Sequence, residues 1–248
     1  GADSCTGGRV ALLGFAGELM TFVGPPKYLV FDTETGGVDP FNDRIVQLFI
    51  ATADALGNLL ETWEWVINPG VEIAEEAASV HGYTTERLAK EGVPPANALE
   101  EARNVFLRNR GLTWVAYNLV FDLTFLDVEF ERNLGVSTFG TWAKDNAKLA
   151  DALVIDRRKD KYRKGGRKLM NLADHYGVPY DEDKLHDAAV DVELTAKVTV
   201  KVLDKYGTPS TSEQSMWYTK WAQGFEDYKR QSDPKFEMDG KEWPLRKG

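Results

Sequence analysis

Apolar residues follow two rhythms along this chain, and the switches between them mark its elements. Lys27 to Asp32 is a short, continuous apolar run between turn signals, the pattern of a strand buried on both faces. The stretch from Thr35 to Pro40, with two glycines and a closing proline, reads as a loop. Arg44 to Thr52 and Leu59 to Ile67 then read as two strands folded about Leu56, Gly57 and Asn58, a hairpin. Asn68, Pro69 and Gly70 end that pair.

Helical spacing takes over from Ile73 to Val80, and more clearly from Pro95 to Arg110. There a proline opens the helix, Gly111 closes it, and Leu99, Ala102 and Phe106 share one face. Leu112 to Ala116 is the next buried strand. A helix from Asp122 to Asn133 follows, with Phe121, Phe125 and Val128 in register. Leu149 to Ile155 fits a strand or a short helix. Arg167 to Tyr176 is a helix closed by Gly177 and Pro179, and Asp187 to Lys205, with Val190, Leu194 and Val198 repeating, is expected to be the longest. This order predicts a three-layer α/β domain over a mixed sheet. The Lys27 and Leu112 strands would be parallel neighbours, with the hairpin antiparallel at one side. The chain contains no internal repeat and no low-complexity segment.

Composition narrows the class. At 248 residues, with 43% hydrophobic and 28% charged, the chain suits one full α/β domain plus extensions and is not disordered in bulk. Its net charge of −9 argues against coating of nucleic acid by the whole surface, while leaving room for local basic strips. Cys5 is the only cysteine, which excludes an intramolecular disulfide and a cysteine-based zinc site and suits a cytoplasmic location. Val10 to Val23 is apolar but holds Glu18 and is too short to span a bilayer, so no membrane partner is expected. Residues 1–26 read as an extension, 27–206 as the main domain and 207–248 as a C-terminal extension.

The candidate chemistry lies in three carboxylate motifs. Asp32-Thr-Glu34 ends the first strand, Asn118-Leu-Val-Phe121-Asp122 follows the Leu112 strand, and His186-Asp-Ala-Ala-Val-Asp191 heads the long helix. Taken singly, each has a bland reading as a solvated strand end or a helix N-terminal acid. Placement favours a site. Asp32 and Glu34 are two apart on an extended chain and face the same way. They sit where a parallel strand ends, the edge at which open α/β sheets collect ligands, and Asp122 arrives at that edge from the neighbouring strand. Four carboxylates in one place repel one another unless cations neutralise them, and all-oxygen donors point to Mg²⁺ or Mn²⁺.

Over residues 27 to 205 the chain resembles the DEDDh 3′→5′ exonucleases, the DnaQ-like proofreading group of the ribonuclease H-like superfamily. Phe31-Asp-Thr-Glu-Thr-Gly36, Tyr117-Asn-Leu-Val-Phe-Asp122 and His186-Asp-Ala-Ala-Val-Asp191 match its three motifs. Val80-His-Gly-Tyr-Thr84, Lys168-Leu-Met-Asn-Leu-Ala173 and Tyr176-Gly-Val178 match further landmarks. Asp187, not tyrosine, stands four before Asp191, which favours the histidine branch. The resemblance implies a three-layer α/β/α ribonuclease H-like fold on a mixed, mostly five-stranded sheet. It also implies two Mg²⁺ or Mn²⁺ ions on Asp32, Glu34, Asp122 and Asp191, with His186 as general base. Thr35 and Gly36 would then lie near the terminal nucleotide, and Asn118 and Phe121 would shape the site, Phe121 chiefly as core. The expected substrate is single-stranded or frayed nucleic acid, DNA before RNA. An exoribonuclease of the same superfamily, an idle nucleic-acid-binding module and an aspartate-nucleophile phosphatase are the rival readings.

Three further features bear on function. Arg157 to Lys168 holds eight basic residues against one acid, Asp160, and reads as a phosphate-tracking strip in which Arg163, Lys164, Arg167 and Lys168 are the candidates. Ser210-Thr-Ser-Glu213 is a capping box, and Trp217, Trp221, Phe225 and Tyr228 recur at helical spacing behind it. That stripe is expected to pack on its own domain, with a docking face for a DNA polymerase or other replication protein as the second reading. His81 reads as a loop or helix-end residue, and His175 as a residue on a helix surface.

Overall fold

The computed structural model of the chain describes residues 24–182 and 188–247. The expected extension at 1–26 falls almost wholly outside these residues. Strand β1 spans Tyr28–Thr35, β2 Ile45–Ala53 and β3 Leu59–Val66, followed by α1 (Glu75–His81), α2 (Thr85–Glu91) and α3 (Pro95–Arg108). Next come β4 (Thr113–Val115), α4 (Leu119–Leu134), α5 (Phe139–Asn146), β5 (Lys148–Ala150) and α6 (Ala152–Lys159). Helices α7 (Leu169–Tyr176), α8 (Ala188–Tyr206) and α9 (Thr211–Arg230) complete the order.

The five strands form one mixed sheet in the order β3-β2-β1-β4-β5. The hairpin is antiparallel to β1, while β1, β4 and β5 run parallel. Strand β1 is central and buried on both faces, so its alternate residues feed two cores. Leu29 and Phe31, with Leu48 and Ile50, pack against Phe106, Leu123 and Phe130 of α3 and α4. Tyr28 and Val30, with Phe49 and Ala51, pack against Leu172 of α7 and Val192 and Val198 of α8. This is the three-layer α/β/α arrangement of the ribonuclease H-like fold. Among the described residues no helix is long and apolar enough to cross a membrane.

Several elements differ from the sequence reading. Leu149 to Ile155 is neither strand nor helix alone: β5 ends at Ala150, Asp151 turns the chain, and α6 begins at Ala152. Helix α4 begins at Leu119, three residues before the expected Asp122. Helices α2 and α5 were not anticipated; α2 is opened by Thr84, whose side chain accepts from the backbone N–H of Arg87. Among the described residues, helix α8, expected to be the longest, has 19 residues and α9 has 20, and the expected start of α8 at Asp187 lies outside them.

Candidate active site

Strand β1 pairs with β4 only from Tyr28 to Val30, whereas its pairing with β2 continues to Thr35. Its last residues therefore run past the end of β4, leaving backbone groups on that side for other partners. Asp122 takes that position. Its Oδ1 accepts the backbone N–H of Thr33 at 2.9 Å and the Thr33 hydroxyl at 2.8 Å, with the carboxylate only 2% exposed. Asp32 and Glu34 share the β1 face of Tyr28 and Val30, the face covered by α8. Asp191 lies in the first turn of α8. Period-2 alternation thus aims both β1 acids at the helix carrying the third motif, while α4 brings Asp122 from the opposite layer.

The start of α4 depends on a distant residue. Asn118, its N-cap, sits at φ 62° and makes no side-chain cap. Asparagine tolerates this left-handed conformation better than most residues, and here it turns the chain sharply out of β4 into the helix. Asp151 supplies the cap instead, accepting from Asn118 N at 3.3 Å and Leu119 N at 2.9 Å. The same carboxylate caps α6 through Leu153 N and Val154 N. Behind it, Gln214 of α9 accepts the Asp151 N–H at 2.9 Å and donates to the Leu149 carbonyl at 2.8 Å. Asn118 and Asp151 therefore act on the site through the backbone that presents Asp122.

The four acids lie within electrostatic reach of one another. Burial first, then the charges of Asp122, Glu34 and Asp191, push Asp32 well above the ordinary carboxylate range. Burial and then Asp191 push Glu34 up to about 7. Burial also raises Asp122 to about 7, against the downward pull of its bonds from Thr33. Every charge acting on Asp32 in this balance is another carboxylate. Hard oxygen donors at one strand end, with like charges within reach of one another, suit divalent cations of the Mg²⁺ or Mn²⁺ kind. His186 and Asp187 lie outside the described residues.

The flanking residues have plain structural duties. Thr35 is buried; its hydroxyl donates to the Gly37 carbonyl at 2.6 Å, and its own carbonyl accepts from His81 Nε2 at 3.2 Å. His81 Nδ1 accepts the Tyr83 N–H at 3.1 Å, so the ring is the neutral Nε2–H tautomer, and burial lowers its pKa accordingly. His81, read from the sequence as a loop or helix-end residue, ends α1, and from there it pins the end of β1. Its one sequence signal was the Val80-to-Thr84 landmark. At Gly36 an added Cβ would lie 3.1 Å from Ile73 Cδ1, so the backbone there packs closely. Phe121 stacks on Phe125 at 4.8 Å and packs on the core, as expected.

The basic strip divides. Asp156, fully buried on α6, binds Arg163 at 2.8 Å and Arg167 at 3.2 Å and accepts the Tyr176 hydroxyl at 2.7 Å. Those two arginines are committed to holding the 160–168 segment against α6 and α7. Lys164 and Lys168 are exposed. His175 is drawn into the same network through Asp160, 3.3 Å away.

With this geometry in view, comparisons with known proteins are informative. A family model for RNase_T exonucleases matches residues 29–199. The PolC-type DNA polymerase III of Staphylococcus aureus is 30% identical over 181 residues, which is 72% of this chain but only 11% of that protein. Among solved structures, Escherichia coli exonuclease I in complex with a dT13 oligonucleotide aligns with a TM-score of 0.61 at 21% identity, over 73% of this chain and 42% of that one. The Mg²⁺- and Mn²⁺-bound form of Schizosaccharomyces pombe Pop2p aligns with a TM-score of 0.57 at 18% identity, over 73% and 84% of the two chains. At such identities the structural likenesses speak for the fold, and the sequence match speaks for descent. With three carboxylate motifs in order, on the sheet edge the fold leaves open, the chain belongs to the RNase_T family of DEDD-type 3′→5′ exonucleases.

Proposed function

We propose that this protein hydrolyses phosphodiester bonds at the 3′ ends of single-stranded or frayed nucleic acid, DNA before RNA, and releases nucleoside 5′-monophosphates. One observation carries the reading: carboxylates from β1, α4 and α8 lie close enough at one strand end for the other three to act on Asp32 and raise its pKa together with burial. Asp32, Glu34, Asp122 and Asp191 would hold two Mg²⁺ or Mn²⁺ ions. When bound, such a pair activates water near neutral pH and neutralises charge on the attacking and leaving oxygens.

The chain's own residues do the rest. Thr33 fixes the Asp122 carboxylate, and His81 holds the end of β1 so that Asp32 and Glu34 keep their spacing. His186 takes the proton of the attacking water as oxygen bonds to phosphorus, and the bond to the 3′ oxygen breaks as that oxygen gains a proton. Thr35 and Gly36 present close-packed backbone beside the terminal nucleotide. Lys164 and Lys168 meet phosphates, while Arg163 and Arg167 hold the strip that carries them. The preference for DNA is supported by the similarity to a DNA polymerase and to an exonuclease seen with dT13. A replication setting, with a polymerase as partner, is proposed on the first of these alone.

The test is digestion of 3′-labelled and 5′-labelled oligomers, as DNA and as RNA, with Mg²⁺, Mn²⁺ or EDTA. The expected result is stepwise loss from the 3′ end, abolished by EDTA and faster on DNA. Cleavage in EDTA or from the 5′ end overturns the reading, and equal or faster loss of RNA selects the ribonuclease. In the same assay His186→Ala should slow turnover while metal affinity, read by calorimetry, stays close to wild type.

A further inference from the structure

The aromatic stripe of α9, expected to pack on the domain, does so only in part: Trp217 and Trp221 are half-buried against the core, while Tyr228 is exposed. The buried stripe is its neighbour: Gln214, Tyr218, Ala222 and Glu226. Tyr218 and Ala222 enter the core, and the two polar members are satisfied by the β5 backbone and by Lys241, Arg230 and Met238 N. Trp217, Trp221, Phe225 and Tyr228 instead form one wall of an open cleft of about 640 Å³ between α6 and α9.

The lining of this cleft is specific in two ways. Its charged residues are Arg157, Arg158, Lys161 and Lys220, with no carboxylate among them, in a protein of net charge −9. Its apolar surface is mostly flat rings, with Val154 and Met216 the only aliphatic or thioether members. Trp221 and Phe225 lie nearly parallel, 22° between planes, and the Arg157 guanidinium sits 3.8 Å from the Trp221 ring centroid. Tyr228 is 66% exposed. Gly224 occupies mid-helix, where alanine would be the better helix former, and a Cβ there would meet nothing within 4 Å, so the cleft floor is kept open.

We propose that this cleft is a second single-strand track, in which bases stack on the α9 rings while backbone phosphates meet Arg158, Lys161 and Lys220. A lining of rings on one side and cations chiefly on the other suits the bases and phosphates of a single strand. A helical peptide would look for aliphatic holes that the lining does not offer. Helix α6 begins at the C-terminal end of β5, which runs parallel to β4 and β1, so its first turn stands at the sheet edge that carries the acids and the cleft lies along its later turns. The inference rests on the nuclease reading and extends it: a strand whose 3′ end is in the acidic pocket has its 5′ portion held on α9, beyond the region matched by the family.

The test uses the full chain, with Lys161→Glu/Lys220→Glu and, separately, Gly224→Glu, each checked for a wild-type melt. Anisotropy of labelled dT16 in EDTA should show at least tenfold weaker binding, with a shallower salt dependence for the double variant. In Mg²⁺, the ratio of kcat/KM on dT16 to that on a trinucleotide should fall by a similar factor. Affinity within twofold of wild type in both variants overturns the track. So does loss of binding to an acidic aromatic peptide with dT16 binding intact, which would assign the cleft to a protein partner. A wild-type chain that cleaves nothing would refute the nuclease reading alone, because the EDTA measurement still decides the track.

Discussion

Asp156 and the carboxylates at the end of β1 are both acidic centres, and they are solved in opposite ways. Asp156 is enclosed by two guanidiniums and a phenol between 2.7 and 3.2 Å away. Its charge is answered from within the chain, and the result is a clamp on the 160–168 segment. Asp32 and Glu34 face other carboxylates, Asp191 among them, and burial together with that repulsion raises their pKa values, while burial raises that of Asp122. Removing one side of an answered pair strands a buried charge. Removing one member of a like-charged group relieves repulsion, so stability and function should separate between the two centres.

The largest expected effect is on turnover. Asp32→Ala or Asp191→Asn should lower metal-dependent cleavage by more than about a thousandfold, while the metal-free protein melts at or above the wild-type temperature. Near-normal turnover in either variant removes that residue from the site. Asp156→Ala should do the reverse. Breaking the buried pair costs about 3–5 kcal/mol, a fall of roughly 10 °C in Tm for a chain of this size, with cleavage retained at low temperature. An unchanged melt would make the clamp ornamental.

A pH series sharpens the contrast. Glu34 and Asp122 have folded-state pKa values of about 7, above their unfolded values. The stability tied to their protonated forms is fully present below the ordinary carboxylate pKa and is lost as pH rises through 7. Metal-free Tm should therefore drop by several degrees between pH 5 and pH 8, and saturating Mg²⁺ should flatten the curve. The smallest effect is expected for Thr33→Val, which deletes the hydroxyl bond to Asp122 and keeps the backbone one. Metal affinity should weaken by about tenfold with little change in Tm.

How much of this was legible in the sequence varied with how local the cause is. The strand at β1, the hairpin and the parallel β4 were visible because apolar runs and turn residues are short-range signals. The convergence of Asp32, Glu34 and Asp122 followed from period-2 geometry and strand direction. The true start of α4 was hidden because its cap comes from Asp151, more than thirty residues away. Arg163 and Arg167 looked like free phosphate binders because Asp156 sits just upstream of the basic run and only folding turns it inward. On α9 the most aromatic stripe looked like the core stripe. Gln214 and Glu226 are buried instead, since partners unseen in a helical wheel satisfy them.

Asp151 has a consequence for anyone who would trim this protein. One carboxylate seals the first turns of both α4 and α6, and it is braced from behind by an amide that belongs to α9. The family match stops at residue 199, yet this brace arrives at residue 214. A shortened version ending with the homology would keep all four acids of the pocket and lose the support under one of them. The natural seam of the molecule lies farther along than its ancestry indicates.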